Sequence, residues 1–257
     1  MGRAILFAGP ALLLLASFFV PPIAQDAAYH AFADQRTILG IANFWNVVSN
    51  AAFLTVAVAG VRALRSRAAF EQPWERTAFV TLIAGTVLVA FGSAYYHAAP
   101  DSATLFWDRL PMTIVFMSLF ATTVGERIDA ELGRRSLLPL LAIGLASVVD
   151  WRITGDLKSY AAVQFYPMIA ILALVMFRES RYTDGARLYA VIAFYAAAKL
   201  LELFDRHIGS VFATGGHPWK HLASAAALGC YVDYVARRRL RHRAGEKSFE
   251  TLHLAVR

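Results

Sequence analysis

The sequence predicts an all-α membrane protein, a seven-transmembrane helix bundle preceded by one additional N-terminal hydrophobic helix. Three observations carry this. Of 257 residues, 58% are hydrophobic and 17% charged, whereas soluble domains run near about 45–50% apolar and about 25% charged. The apolar residues gather in stretches close to ~20 residues, the length that spans a bilayer as a helix. No strand-like alternation, internal repeat or low-complexity run competes with that pattern. Low charge excludes a disordered regulator, and the absence of basic runs inside the body argues against a nucleic-acid partner. With Cys230 the single cysteine, there is no intrachain disulfide and no cysteine-based zinc cluster.

The elements follow in order. Ala4–Gln25 carries no charge. Arg3 before it and Pro21–Pro22–Ile23–Ala24 at its end fit either a retained span or a signal peptide cut after Ala24. Pro21 is a poor neighbour for a small-residue cleavage site and favours retention. The core spans then fall in Thr37–Val61, Thr77–Tyr96, Leu110–Gly125, Ser136–Val149, Ser159–Phe177, Leu188–Phe204 and His217–Val235. Ser136–Val149 is short, but Trp151 and its polar neighbours extend it to the interface. Leu188–Phe204 contains Lys199 and Glu202, spaced i, i+3 and able to pair. The chain thus divides into an N-terminal hydrophobic segment (1–28), a seven-helix domain (29–239) and a basic tail (240–257).

Basic residues set the expected orientation, since cytoplasmic loops collect Lys and Arg. Arg62, Arg65, Arg67 and Arg76 follow the first core span; Arg127, Arg134 and Arg135 the third; Arg178, Arg181 and Arg187 the fifth. Arg237, Arg238, Arg239, Arg241 and Arg243 follow the last. Together with Arg3, these put most of the 25 basic residues on one face, the expected cytoplasmic side, with the C-terminus. The tail then reads as a topology anchor near anionic lipid.

Ionisable groups at membrane depth are costly and mark function. Ser93 and His97 end the second span at i, i+4 and share a helix face; Asp108 opens the third; His217 and His221, again i, i+4, open the seventh. The charge rule places all three segments in the outer leaflet, so distant histidines and an aspartate share one layer. That layer suits catalytic zinc, with three protein ligands and a fourth position left for water. His97, His217 and His221 form such a set, and Pro218 fits the first turn of its helix. Zinc would bring a bound water to a pKa of roughly 7. Asp108 could take the water's proton and pass it to a leaving amine, and Ser93 could donate to an oxyanion. Each residue alone also fits a plainer role as a hydrogen-bonded interface group.

The residues carry a resemblance. Asn43–Phe44–Trp45–Asn46–Val47–Val48–Ser49–Asn50, Gly92–Ser93–Ala94–Tyr95–Tyr96–His97, Trp107–Asp108–Arg109–Leu110–Pro111 and Gly216–His217–Pro218–Trp219–Lys220–His221 together resemble the alkaline ceramidases. These belong to a superfamily of seven-helix membrane hydrolases that includes the adiponectin/progestin-type receptors. Lys199–Leu200–Leu201–Glu202 and Gly155–Asp156–Leu157 look like bacterial-type members, which implies a bacterial inner membrane. The resemblance covers about Tyr29 to Arg239. It implies a zinc amidase that cuts ceramide, or a related N-acyl lipid, into a fatty acid and a sphingoid base. His97, His217 and His221 would hold zinc, Asp108 handle water and Ser93 stabilise the oxyanion. The carry-over stops at the calcium site of eukaryotic members, whose final Glu is replaced here by Asn43; Tyr29–Arg36 offers only Asp34 as a carboxylate.

Other polar residues have two readings. Glu202 or Asp205 could orient a histidine through its second ring nitrogen, or serve as ion-pair and interface groups. Asn46, Ser49 and Asn50 read as hydrogen-bonding residues between helices. Trp45, Trp107, Trp151 and Trp219 read as an aromatic belt. Gln164 has no evident partner. The alternative to a hydrolase is a non-catalytic seven-helix lipid-binding receptor with structural zinc. A retinal photoreceptor would need a mid-membrane lysine on the last span, and a transporter would show repeat symmetry; neither is present. Oligomeric state has no signature in the sequence.

Overall fold

The computed structural model describes residues 8–12, 15, 18–66 and 69–241. Arg3, Arg67, Arg243, part of the N-terminal hydrophobic segment and nearly all of the basic tail lie outside the described residues. Among the described residues the protein is all-helical, with no strands. The helices are α1 (Phe44–Val48), α2 (Ala51–Ala63), α3 (Pro73–Ala98), α4 (Ser102–Arg127), α5 (Ala130–Thr154), α6 (Lys158–Phe177), α7 (Leu188–Leu203), α8 (Asp205–Gly209) and α9 (His217–Arg237).

Among the described residues, the continuous stretch through α1 and α2, together with α3, α5 and α6, makes four helices long and apolar enough to cross a membrane. The polar groups fall mainly elsewhere. Asp108 and Arg109 are on α4, Lys199 and Glu202 on α7, and His217, Lys220 and His221 on α9. Large apolar side chains face outward, among them Phe91, Leu138, Ile153, Ile169 and Leu203, each more than 60% exposed. A bundle meeting lipid tails rather than water needs that surface.

Local chemistry fixes the ends. Pro73 opens α3, where a missing N–H costs nothing, and the Glu75 carboxylate reaches back to the Gln72 N–H at 3.2 Å. Asp101 caps α4 by accepting from Thr104 N at 2.6 Å, and Thr104 Oγ1 accepts from Asp101 N at 3.1 Å. Gly155, at φ 74°, closes α5 in the left-handed region. α4 is the most enclosed helix, packing on α3, α5 and α6, while α9 packs on α7 and α2. Gly92 makes the α3–α4 crossing possible, because a Cβ there would lie 2.1 Å from the Trp107 carbonyl oxygen. That approach carries Ser93 and His97 toward Asp108.

The apolar core, including Phe79, Leu82, Leu119, Leu174 and Val235, fills the bundle's middle. A separate aromatic group of Phe32, Tyr96, Trp151 and Tyr160 sits at the histidine end. Residues 20–43 form a strap there. Leu157 N donates to the Ile23 carbonyl at 2.9 Å, Arg109 Nη2 to Gln25 Oε1 at 2.7 Å, and Ala33 N to Asp205 Oδ2 at 2.9 Å.

Two details differ from the sequence expectation. The uncharged stretch from Thr37 does not begin as helix. Leu39, Gly40 and Asn43 adopt positive φ, Ile38 and Ile41 close a turn, and helix starts at Phe44. Trp151 is not in a belt: it is 3% exposed and stacks on the Arg109 guanidinium, 4.3 Å from the ring centroid. Trp45, Trp107 and Trp219 remain on the surface.

Candidate active site

His97 lies in the last turn of α3, and His217 and His221 in the first two turns of α9. The helical repeat puts the α9 pair on one face, and packing brings His97 against it. Ring centroids are 4.8 Å apart for His97–His217, 4.8 Å for His97–His221 and 5.0 Å for His217–His221. One candidate ligand nitrogen from each lies within 4.8 Å of the others.

All three are buried, and both nitrogens of His97 and Nε2 of His221 have no hydrogen-bond partner. Buried polar atoms left unmatched are expensive and ask for a ligand. Three imidazoles facing one another, with unpartnered nitrogens on His97 and His221 and no carboxylate among them, form a donor set suited to zinc. The residues present therefore fit a metal.

Ser93 stands one turn before His97, and its hydroxyl faces the buried Asp108 carboxylate. Both line an apolar cavity that also meets Lys220 and His221 at its polar end. Its walls are Met112, Phe116, Leu119, Met168 and Val191, and Gln164 lines it too. On the strap side is a second, more polar cavity bounded by Tyr29, Phe32, Glu202, Asp205, His207 and His217. The histidine group therefore sits between an apolar cavity and a polar one. Phe32 caps it from the strap, its ring centroid 4.7 Å from that of His97 and 4.5 Å from that of His217.

The supporting residues depart from the sequence reading in an instructive way. Neither Glu202 nor Asp205 accepts from a histidine ring. Asp205 Oδ1 instead takes the Gly216 and His217 N–H groups, each at 2.8 Å, and fixes the backbone that opens α9. Glu202 pairs with Lys199, as the i, i+3 spacing suggests, and with Lys220 Nζ at 2.8 Å. It also accepts from the Tyr29 hydroxyl at 3.0 Å. Burial, then the Glu202 charge, pushes the Tyr29 phenol well up, so Tyr29 stays a donor.

Ser49 does meet a histidine ring, its Oγ 2.8 Å from His221 Nδ1, and Lys220 Nζ lies 3.4 Å from His217 Nε2. The Asn46 carbonyl faces the His221 ring. Asn43 Nδ2 donates to the His97 carbonyl at 2.9 Å and tethers that helix end. Asp34 is engaged by the chain itself, accepting from Arg36 Nε at 2.6 Å and Trp45 N at 3.1 Å. Ser49 and Asn43 fall inside the quoted Asn43–Asn50 motif, but only the crossing of α1 and α2 with α3 and α9 shows what they touch.

An apolar helical bundle whose buried, unpartnered donors converge at the polar end of an apolar cavity defines a membrane protein that works on lipid. The family model described as Ceramidase matches residues 36–254, most of the chain. The chain belongs to the ceramidase family and is a hydrolase acting on the amide bond of ceramide. No match is found among curated proteins.

Proposed function

We propose that the protein is a zinc-dependent amidase that hydrolyses the N-acyl bond of ceramide or a related N-acyl lipid. His97, His217 and His221 hold the metal, Asp108 manages the proton of the attacking water, and Ser93 donates to the carbonyl oxygen. The carrying observation is the juxtaposition of three buried histidines, two of them (His97 and His221) with unpartnered nitrogens, and the Ser93–Asp108 pair beside an apolar cavity.

Zinc, when bound, supplies a Lewis acid and lowers the pKa of water to roughly 7. The chain's own residues do the rest. Asp108, enclosed and 5% exposed, is a base that bulk water does not compete with. It takes a proton from water as the C–O bond forms, and returns it to the amine nitrogen as the C–N bond breaks. Ser93, one turn from His97, lies where its hydroxyl can turn from Asp108 to the carbonyl oxygen as charge develops there. The apolar cavity takes the acyl chain, and the polar cavity takes the hydroxylated amine half. Phe32 and the strap exclude water from above the histidines.

The reading extends to the whole chain. Residues 29–239 are the seven-span domain, 1–28 a hydrophobic segment that is a retained span or a signal peptide, and 240–257 a basic tail on the cytoplasmic side of a bacterial inner membrane. The site then faces the outer leaflet, where the amide of a lipid lies at headgroup depth. The test is metal content of purified protein, followed by fatty-acid release from a set of N-acyl sphingoid lipids. Zinc near one per chain and release of free acid are expected. Full zinc stoichiometry in His217→Ala would overturn the ligand set. Zinc binding without acid release from any N-acyl lipid would overturn the amidase. A reporter fused after Arg257 should behave as cytoplasmic.

A further inference from the structure

One group at the site is unused by that mechanism. Lys199 and Lys220 both line the apolar cavity, and both pair with one carboxylate, Glu202. Lys220 is the deeper of the two, its side chain 12% exposed against 29% for Lys199, and it shares the cavity's polar end with Ser93, Asp108 and His221. Its Nζ lies 2.8 Å from Glu202 Oε1 and 3.4 Å from His217 Nε2. Glu202, held also by Tyr29, braces it in place.

Two ammonium groups share the carboxylate of Glu202, and the other carboxylate on that cavity, Asp108, gives up its charge whenever it holds the water's proton, so that Lys220 is then met only in part. Burying a charge is costly unless an opposite one meets it. Hydrolysis of an N-acyl lipid changes the polar end of the acyl chain from a neutral carbonyl to an anion, in the same low-dielectric place. We infer that Lys220 is a binding residue for the carboxylate of a long-chain fatty acid whose tail fills the apolar cavity. The inference rests on the amidase reading for the origin of that acid, but the contact is a matter of charge and geometry. Lys220 donates to a carboxylate oxygen, and Glu202, itself held by Lys199 and Tyr29, keeps the ammonium from swinging away.

The test is equilibrium binding of dodecanoate and of dodecanol to the detergent-solubilised full chain, zinc-loaded and zinc-stripped. Lys220→Met should weaken dodecanoate roughly tenfold, as loss of a charge-assisted contact does, and leave dodecanol within about twofold. Lys220→Arg should restore most of the difference. Unchanged dodecanol binding reports an intact fold, and Glu202 keeps Lys199 and Tyr29 as partners in the Met variant. Zinc-stripped parent should still prefer dodecanoate; loss of that preference on stripping, with Lys220→Met equal to parent, assigns the anion to the metal and overturns the inference. Equal loss of both ligands in Lys220→Met also overturns it. N-dodecanoylglycine carries its carboxylate beyond an amide, and an effect confined to it would place the contact on a substrate-borne acid instead. No turnover is needed. A chain that shows the Lys220-dependent preference yet releases no acid from any N-acyl lipid loses the amidase reading and keeps this one.

Discussion

The two ends of the bundle both bury charge, and they treat it differently. At the end opposite the histidines, Glu126 accepts from Ser180 Oγ at 2.5 Å, from the Tyr234 hydroxyl, and from Arg238 Nη1 at 3.2 Å. Arg238 Nε also donates to the Ala69 carbonyl at 2.9 Å, and its guanidinium lies 4.2 Å from the Tyr182 ring centroid. Burial and the Glu75 carboxylate push the Tyr182 phenol up, so it remains a donor to Glu75 at 2.7 Å. Within that group each carboxylate, phenol and hydroxyl is matched, and beside it Arg127 donates from both Nη atoms to the Arg178 and Gly185 carbonyls, its Nε alone being unpartnered. At the histidine end, His97 keeps two unmatched nitrogens and His221 one. A closed polar network specifies structure, whereas an incomplete one at comparable depth is a site waiting for a ligand. Burial alone does not separate structure from chemistry; satisfaction does.

The sharpest way to break this contrast is to remove donors from the open end. His221→Ala and His97→Ala should each lose bound zinc and drop acid release to background, while the thermal midpoint of the apo protein hardly moves. If either variant unfolds as readily as one cut at the closed end, the histidines are structural and the contrast fails. Asp108→Asn comes next. It should retain zinc and lose about 10²–10⁴-fold in turnover, the span expected for a general acid–base. Parallel metal analysis and single-turnover acid release separate those outcomes.

The closed end calls for the reverse result. Arg238→Met leaves Glu126, itself 5% exposed, without its cation. Breaking a buried pair from one side costs about 3–5 kcal/mol. A marked fall in the thermal midpoint is expected, with zinc affinity unchanged. A loss of zinc without a loss of stability would mean that the network serves the distant site.

Much of the open end was legible in the sequence, because two simple rules converge on it. Charge asymmetry puts the ends of distant spans in one layer, and i, i+4 spacing puts Ser93 with His97 and His217 with His221 on single faces. What those rules lack is the neighbour of each helix. Asn43 on the His97 carbonyl, Lys220 on Glu202 and Asp205 on the α9 backbone all depend on which helices touch. The strap is hidden for a related reason. Its hold on the bundle is a set of single hydrogen bonds and one aromatic cap, Phe32, with no periodicity to announce them. Trp151 fits a belt by position and is buried by a partner, Arg109, that hydropathy cannot supply.

Ser49 is where the contrast is finest, since it is a matched group serving an unmatched one. Its Oγ sits 2.8 Å from His221 Nδ1 and 3.2 Å from the Asn46 carbonyl, leaving Nε2 of the same ring unpartnered. A hydrogen bond on one ring nitrogen fixes the tautomer and aims the other at a metal, and losing such a partner typically costs about 10–100-fold in affinity. Ser49→Ala should fall near the lower bound, roughly tenfold, because the Asn46 carbonyl still faces the ring. Competition against a zinc chelator of known affinity measures this directly, and Ser49→Thr, which keeps the hydroxyl, should recover it. If Ser49→Ala binds zinc as tightly as the parent while losing stability, the serine belongs with the closed network. The boundary between scaffold and site would then run between Ser49 and His221 rather than behind Ser49.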